Sequence, residues 1–411
     1  MTNEASVRVR KDILQRDDQI QPAWRAVFSL TMGVFGLLTA EYLPASLLTP
    51  MAQDLRVPES LAGQAVTVTA VVALFAGLLI PRLTRALDRR VVLLSFTVLM
   101  IFSNLLVALS SGMVMLLAMR ILLGIALGGF WSMAAAVAMR LVPERLVPRA
   151  LSIIFSGIAV GTVVSVPLGS YLGEMFGWRS AFIAAAAVGG ISLIFQWLTL
   201  PGMPPVIRVK TVSVFSLLQR PGVSVGMLGC VLAHTGQYAL FTYIRPALEG
   251  LAHVDAKELS LILLAFGVAN FTGTLLAGWL MERSLRFTLI VMPALVGAAA
   301  LAMSILPLSI AGLTALTMLW GLAFGGIPVA WSGWVARTLP DEAESAGGMV
   351  VAAVQSSIAA GAATGGLIYG MNGVSGVFIT AACIMLSAAL IIAFRVRVSS
   401  STEGTQSRPF H

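Results

Sequence analysis

Residues 345–394 read SAGGMVVAAVQSSIAAGAATGGLIYGMNGVSGVFITAACIMLSAALIIAF, 50 consecutive positions without a charged side chain. The hydrocarbon core of a bilayer takes a helix of about 20 apolar residues. This stretch therefore holds two spans, with a turn near Asn372. Residues 287–336 form a second charge-free run of the same kind, with its turn near Pro307. Working outward, the remaining runs place spans at 24–48, 60–81, 91–109, 113–139, 150–172, 180–199, 222–244 and 259–281. With 287–306, 310–336, 346–369 and 374–394 the total is twelve. The expected fold is an all-α membrane protein with 12 transmembrane helices.

Composition agrees, at 58% hydrophobic and 11% charged. Soluble domains carry about 25% charged residues, so a soluble protein, a coiled coil, a disordered chain and a disulfide scaffold are all excluded. Cys230 and Cys383 both sit within apolar runs and read as packing residues, with no disulfide and no metal implied. Residues 1–25 are polar, and the long apolar run after them lacks a small-residue cleavage site, so it reads as an anchor rather than a signal peptide.

The excess of 26 Lys+Arg over 18 Asp+Glu admits nucleic-acid binding or the positive-inside rule. No basic stretch carries interleaved stacking aromatics, so no nucleic acid is expected. With both termini cytoplasmic, 21 of the 26 basic residues fall on that side, Arg8, Arg82, Arg85, Arg140, Arg208 and Arg395 among them. Only Arg56, Arg179, Arg245 and Lys257 fall outside, and Arg120 lies in a span.

A repeat divides the chain. The segment ending Asp88-Arg89-Arg90 corresponds to Gly278-Trp-Leu-Met-Glu282-Arg283-Ser-Leu-Arg286 at an offset of 197. Gly124-Ile-Ala-Leu-Gly128-Gly129 matches Gly321-Leu-Ala-Phe-Gly325-Gly326 at the same offset, as do Arg140/Arg337, Pro143/Pro340 and Glu144/Asp341. This implies two six-helix bundles in parallel orientation. The expected units are a tail at 1–23, a first bundle at 24–200, a linker at 201–220, a second bundle at 221–395 and a tail at 396–411. Parallel repeats of this kind belong to transporters that rock around a midplane site.

On these residues the chain resembles the major facilitator superfamily over nearly its whole length. Gly278-x-Leu-x-Glu282-Arg283-x-x-Arg286 resembles the family's loop motif; the first copy keeps Arg89 and Arg90 but carries Pro81, Arg85 and Asp88 at unusual positions. Arg120-x-x-x-Gly124-x-x-x-Gly128 resembles the helix-4 motif, and Gly157-x-x-x-Gly161 with Pro167 and Gly169 the helix-5 motif of antiporters. Glu41-Tyr-Leu-Pro44 through Asp54-Leu55 is similar to the twelve-span drug:proton antiporter subfamily. Within it, residues 47–55, 128–131, 177–179 and 236–246 most resemble the purine ribonucleoside efflux pumps. The resemblance implies a monomer in a bacterial inner membrane that exports a small neutral solute against protons. The proton gradient replaces any cofactor, and Asp88, Arg89, Arg90, Gly278, Glu282, Arg283 and Arg286 become gating-loop residues.

Glu41 and Arg120 are the two charges expected well inside spans. Such a charge costs at least ~2.5–3.5 kcal/mol and therefore faces the bundle interior. Each stands about seven residues from the outer end of its helix, hence ~10 Å deep. They read either as a proton-coupling carboxylate tuned by an arginine or as a permanent structural ion pair. The 222–244 span is unusually polar, with His234, Thr235, Gln237, Tyr238, Thr242 and Tyr243. His234 either titrates or is a neutral histidine bonded within the bundle. Gln237 and Tyr238 suit the bases or hydroxyls of a solute; Gln64, Asn104, Trp131, Asn270, Trp331, Trp334 and Gln355 are further candidates. Each of these also serves as packing in any helix bundle.

Other classes fare worse. The sequence holds neither a metal-spaced cluster nor a nucleophile–base constellation nor a nucleotide loop, so no enzyme is expected. A sugar or multidrug exporter, or a proton-linked importer, keeps the fold and changes the cargo or the direction.

Overall fold

The computed structural model describes residues 22–143, 146–205, 214–252, 254–339 and 343–396. Most of both expected tails, the middle of the linker with Arg208, and the pairs Glu144/Asp341 and Pro143/Pro340 at one or both members lie outside the described residues, as does the Glu282 side chain.

The first span is α1 (Trp24–Ser46), which runs on past a break at Leu47 into α2 (Leu48–Leu55). Pro44 lies just before that break and cannot donate to the helix ladder. A short α3 (Glu59–Ala62) leads into α4 (Gln64–Leu83). The bundle continues with α5 (Arg89–Ala108), α6 (Met113–Leu141), α7 (Val147–Phe176) and α8 (Trp178–Thr199). After α9 (Val214–Leu218), in the linker, the second bundle begins at α10 (Val223–Thr242) and α11 (Ile244–Ala252). It ends with α12 (Ala256–Ile305), α13 (Ile310–Thr338) and α14 (Ala343–Arg395). No strand occurs among the described residues.

Two of these helices are double spans. The backbone of α12 leaves helical geometry at Ser284, and α14 turns at Gly373, whose φ of 63° suits a residue without a Cβ. Among the described residues ten helices are long and apolar enough to cross a membrane. Division of the last at Gly373, together with the more polar α10, brings the spans to twelve. The expected boundaries hold within a few residues; α2, α9 and α11 are extra helices that the apolar runs do not announce.

The repeat at 197 has a packing cause. Gly124 and Gly128 of α6 lie on the backbone of α4, where a Cβ on Gly124 would stand 2.7 Å from the Thr69 carbonyl and one on Gly128 would meet the Ala73 carbonyl. Gly321 and Gly325 of α13 repeat this against Phe266 and Asn270 of α12. All four pairs obey one offset, so each bundle uses the same glycine crossing. Both crossings should therefore be intolerant of methyl groups. Gly128→Ala and Gly325→Ala should each cost about 1–3 kcal/mol by overpacking. Gly190→Ala, where a Cβ meets nothing within 4 Å, is the neutral control in a thermal-denaturation series.

The loop motif repeats as well, with one correction. Arg90 donates to the Trp197 carbonyl and Arg286 to the Ala393 carbonyl, each at 2.6 Å. The offset of 197 equates Arg286 with Arg89, whereas the contacts equate it with Arg90. The second copy is shifted by one residue where the loop enters the helix.

The two bundles meet along α4 with α14 and α7 with α12. Gly366 sits against Gln64 and the Ser60 carbonyl, and Gly267 against Thr162 and Val163. Cys230 is buried as expected, but Cys383 is exposed on the bundle surface and is not a packing residue.

Candidate functional site

Glu41 on α1 is 8% exposed and Arg120 on α6 is 0% exposed. The helices are neighbours, and the two side chains do share a depth. Arg120 donates from Nη1 to the Ala40 carbonyl at 2.8 Å and from Nε to Thr69 Oγ1 at 3.0 Å. Its Nη2 has no partner. It makes no ion pair with Glu41 in this form, although its charge acts on that carboxylate. The guanidinium is thus engaged by neutral acceptors, and the carboxylate is left without an ion pair.

Tyr42, next to Glu41, reaches across to the second bundle. Its ring meets Phe241 edge-on at 5.2 Å, and its hydroxyl interacts with those of Tyr238 and Thr162. From there an aromatic wall continues through the second bundle. Tyr238 meets Phe324 at 6.3 Å, Phe241 meets Phe266 at 5.8 Å, and Phe266 meets Trp320 at 5.1 Å. Trp320 Nε1 donates to Gln237 Oε1 at 2.7 Å. Edge-on and tilted rings at these separations are favourable contacts, and the wall links Glu41 to Gln237.

The other candidates divide. Gln237 and Tyr238 belong to this wall. His234 donates from Nδ1 to the Cys230 carbonyl at 2.8 Å, one turn back on its own helix. Gln64 and Tyr243 are brought together, but in the seal between bundles: Tyr243 stacks on Tyr369 at 5.1 Å, and Gln64 lies beside Gly366. Asn104 is buried on α5, which packs on α8 and α6 within its own bundle, so it is not brought to the wall. Both of its amide atoms lack partners. Asn270 donates to the Gly321 carbonyl at 3.3 Å and pins the glycine crossing. Trp331 and Trp334 pair at 5.4 Å over Gly229 and Gly226 of α10. Gln355 is buried with Nε2 unpartnered, and Trp131 is half-buried edge-on to Phe130 at 5.5 Å.

The gating-loop residues bond within their own bundles or to the linker. Asp88 caps α5 through the Arg90 amide at 2.8 Å and accepts from the Met203 amide at 2.9 Å. Arg89 donates to Thr84 Oγ1 at 3.0 Å, and Arg283 lies over the Trp279 ring at 3.7 Å. A Cβ on Gly278 would meet nothing within 4 Å, so that glycine permits no close approach here.

At the opposite end of the molecule a latch joins the bundles, and here the sequence reading needs correction. Arg245, expected in an outer loop, is 4% exposed. It donates to the Ser46 carbonyl at 2.9 Å, to Glu249 at 2.8 Å and to Glu174 at 3.3 Å. Glu249 also accepts from Thr49 at 2.7 Å, and Tyr369 bonds Glu59. Among the described residues three buried charges therefore matter, not two. Arg245 and Glu249 stand four apart on α11, a spacing at which charges pair on one helix face, which was the available signal. Tyr42, Phe241, Phe266, Trp320 and Phe324 went unremarked because buried aromatics look like any core.

A model of the Major Facilitator Superfamily matches residues 30–246 and again 226–410, one match for each bundle. The chain belongs to the major facilitator superfamily. The purine ribonucleoside efflux pump NepI of Salmonella enteritidis PT4 is 43% identical over 383 residues, spanning 93% of this chain and 96% of that protein. The homologue of the same name from Salmonella typhi is equally similar. Among solved structures, a D-xylose-proton symporter superposes with a TM-score of 0.75 at 17% identity, over 92% of this chain and 99% of that one. That likeness speaks to the fold. As a member of this superfamily the chain is a multi-pass membrane transporter of small molecules.

Proposed function

We propose that this transporter exports purine ribonucleosides, such as inosine or guanosine, in exchange for protons by alternating access. The observation that carries the reading is the buried Glu41 carboxylate, free of an ion pair, on the boundary between the bundles beside an aromatic and amide wall. Glu41 is the one acid among the buried described residues. That suits a neutral solute: rings stack on the base, and amides and hydroxyls bond its edges. The identity to the Salmonella efflux pumps supports the cargo and the direction.

The Asp88 end carries most of the basic residues and is assigned to the cytoplasm, with both termini, in a bacterial inner membrane. The Arg245 latch then closes the outer side, and this form faces inward. Nucleoside binds from the cytoplasm and leaves on the outer side; a proton arriving from outside then neutralises Glu41 and lets the empty carrier return. The proton gradient is the energy source, no cofactor takes part, and a monomer suffices. Gln64 and Tyr243 serve the outer seal, and the loop arginines the inner one.

Purified protein in proteoliposomes tests this directly. Inosine and guanosine should each release protons in proportion to transport, whereas a pentose or a lipophilic cation should not. Proton release with the sugar or the cation alone would assign the site to that cargo instead.

A further inference from the structure

The two ends of the Gln237 amide are not equivalent. Trp320 Nε1 faces one of them at 2.7 Å. An indole N–H can only donate, so the atom that faces it is the amide oxygen and the orientation of the amide is determined. Nε2 is buried and has no partner. Buried donors are normally satisfied, so an orphan next to an aromatic wall marks where the acceptor of a ligand fits. Trp320 in turn packs edge-on against Phe266 at 5.1 Å, which restrains the indole on the amide.

An unrestrained glutamine pairs with adenine through both ends, accepting from the 6-amino group and donating to N7. Here the indole takes one of the oxygen's two lone pairs and fixes its direction, while both N–H donors of the nitrogen are free. The side chain offers donors, and the O6 and N7 atoms of a 6-oxopurine are both acceptors. We propose that Trp320 is a positioning residue that holds Gln237 as a donor contact. Through it, the site selects 6-oxopurine nucleosides over 6-aminopurine ones. This rests on the purine-nucleoside reading above and adds a ranking within that class.

The test is competition in everted membrane vesicles, with labelled inosine as cargo and guanosine or adenosine as competitor. The wild type should be inhibited at about tenfold lower guanosine than adenosine, the worth of one good hydrogen bond. Trp320→Phe keeps a ring against Phe266 and removes the N–H; it should bring the ratio close to one. Gln237→Glu replaces the free donor by an acceptor and should invert the ratio. A wild-type ratio of one, or a ratio that either variant leaves unchanged while it is present in the membrane, overturns the proposal. The wild-type measurement alone decides if a variant is absent from the membrane. Failure of the wild type to carry any purine nucleoside overturns the underlying reading as well; carriage without selectivity overturns this inference only.

Discussion

Glu41→Gln should abolish proton-driven export while leaving nucleoside exchange intact. Glutamine keeps the shape of the protonated carboxyl but cannot release a proton. One pH unit is worth about 1.4 kcal/mol per proton, so a one-proton exchanger sustains about a tenfold substrate gradient per unit. Across a two-unit gradient imposed on everted vesicles, the variant should lose roughly a hundredfold of accumulation. Counterflow of labelled against unlabelled inosine needs no net proton movement and should persist. Accumulation that survives in Glu41→Gln would remove the carboxylate from the coupling step. Loss of accumulation and counterflow together would make Glu41 a binding group rather than a coupling group. Arg120→Lys addresses the other half of the arrangement. Lysine cannot hold the Ala40 carbonyl and Thr69 at once through a planar fork, so it should alter the pH profile of the exchange.

Arg245→Ala should open the outer face. The arginine ties Ser46 of the first bundle to Glu249 of the second and also contacts Glu174. Removal of one member of a fully buried ion pair costs about 3–5 kcal/mol. The side chains of Glu249 and Glu174 are 26% and 49% exposed, so water recovers part of this loss and about 2 kcal/mol is a fair expectation. That is about a thirtyfold shift in the ratio of closed to open forms. Ala62 reports it: it is fully buried in the small cluster with Leu48, Ala52, Tyr243 and Val377. In a background lacking Cys230 and Cys383, Ala62→Cys should resist a membrane-impermeant thiol reagent. The reagent should label it about thirtyfold faster once Arg245 is alanine. Equal labelling rates with and without Arg245 would show that the latch does not hold the bundles closed. The cause of the expected effect is specific to the closed end, because none of the Asp88, Arg90 and Arg286 contacts joins one bundle to the other.

Some of this molecule was legible in its sequence. Twelve apolar runs and a repeat at 197 lead to twelve helices and a two-bundle plan, and the bias of basic residues leads to the proposed orientation. Lipid imposes these features residue by residue, because each span must be apolar on its own account. The glycine repeat was legible for the same local reason: a missing Cβ is a property of one residue, and its use twice at each of two crossings left two pairs of glycines at one offset. The depth of Glu41 and Arg120 followed from helix rise alone.

The tertiary structure decided what those residues do to one another. That Arg120 holds the Ala40 carbonyl rather than the Glu41 carboxylate depends on three helices at once. So does the placement of Gln64 and Tyr243 in the seal, of Asn104 off the site, and of Arg245 in a buried latch rather than a loop. The aromatic wall from Tyr42 to Trp320 joins both bundles, and nothing in one-dimensional order distinguishes its rings from other buried rings. Sequence by itself determined which residues enter the membrane and at what depth, since transfer into lipid is paid one side chain at a time. Only the fold decided which of them meet, since hydrogen bonds and ring contacts depend on directions across helices far apart in the chain.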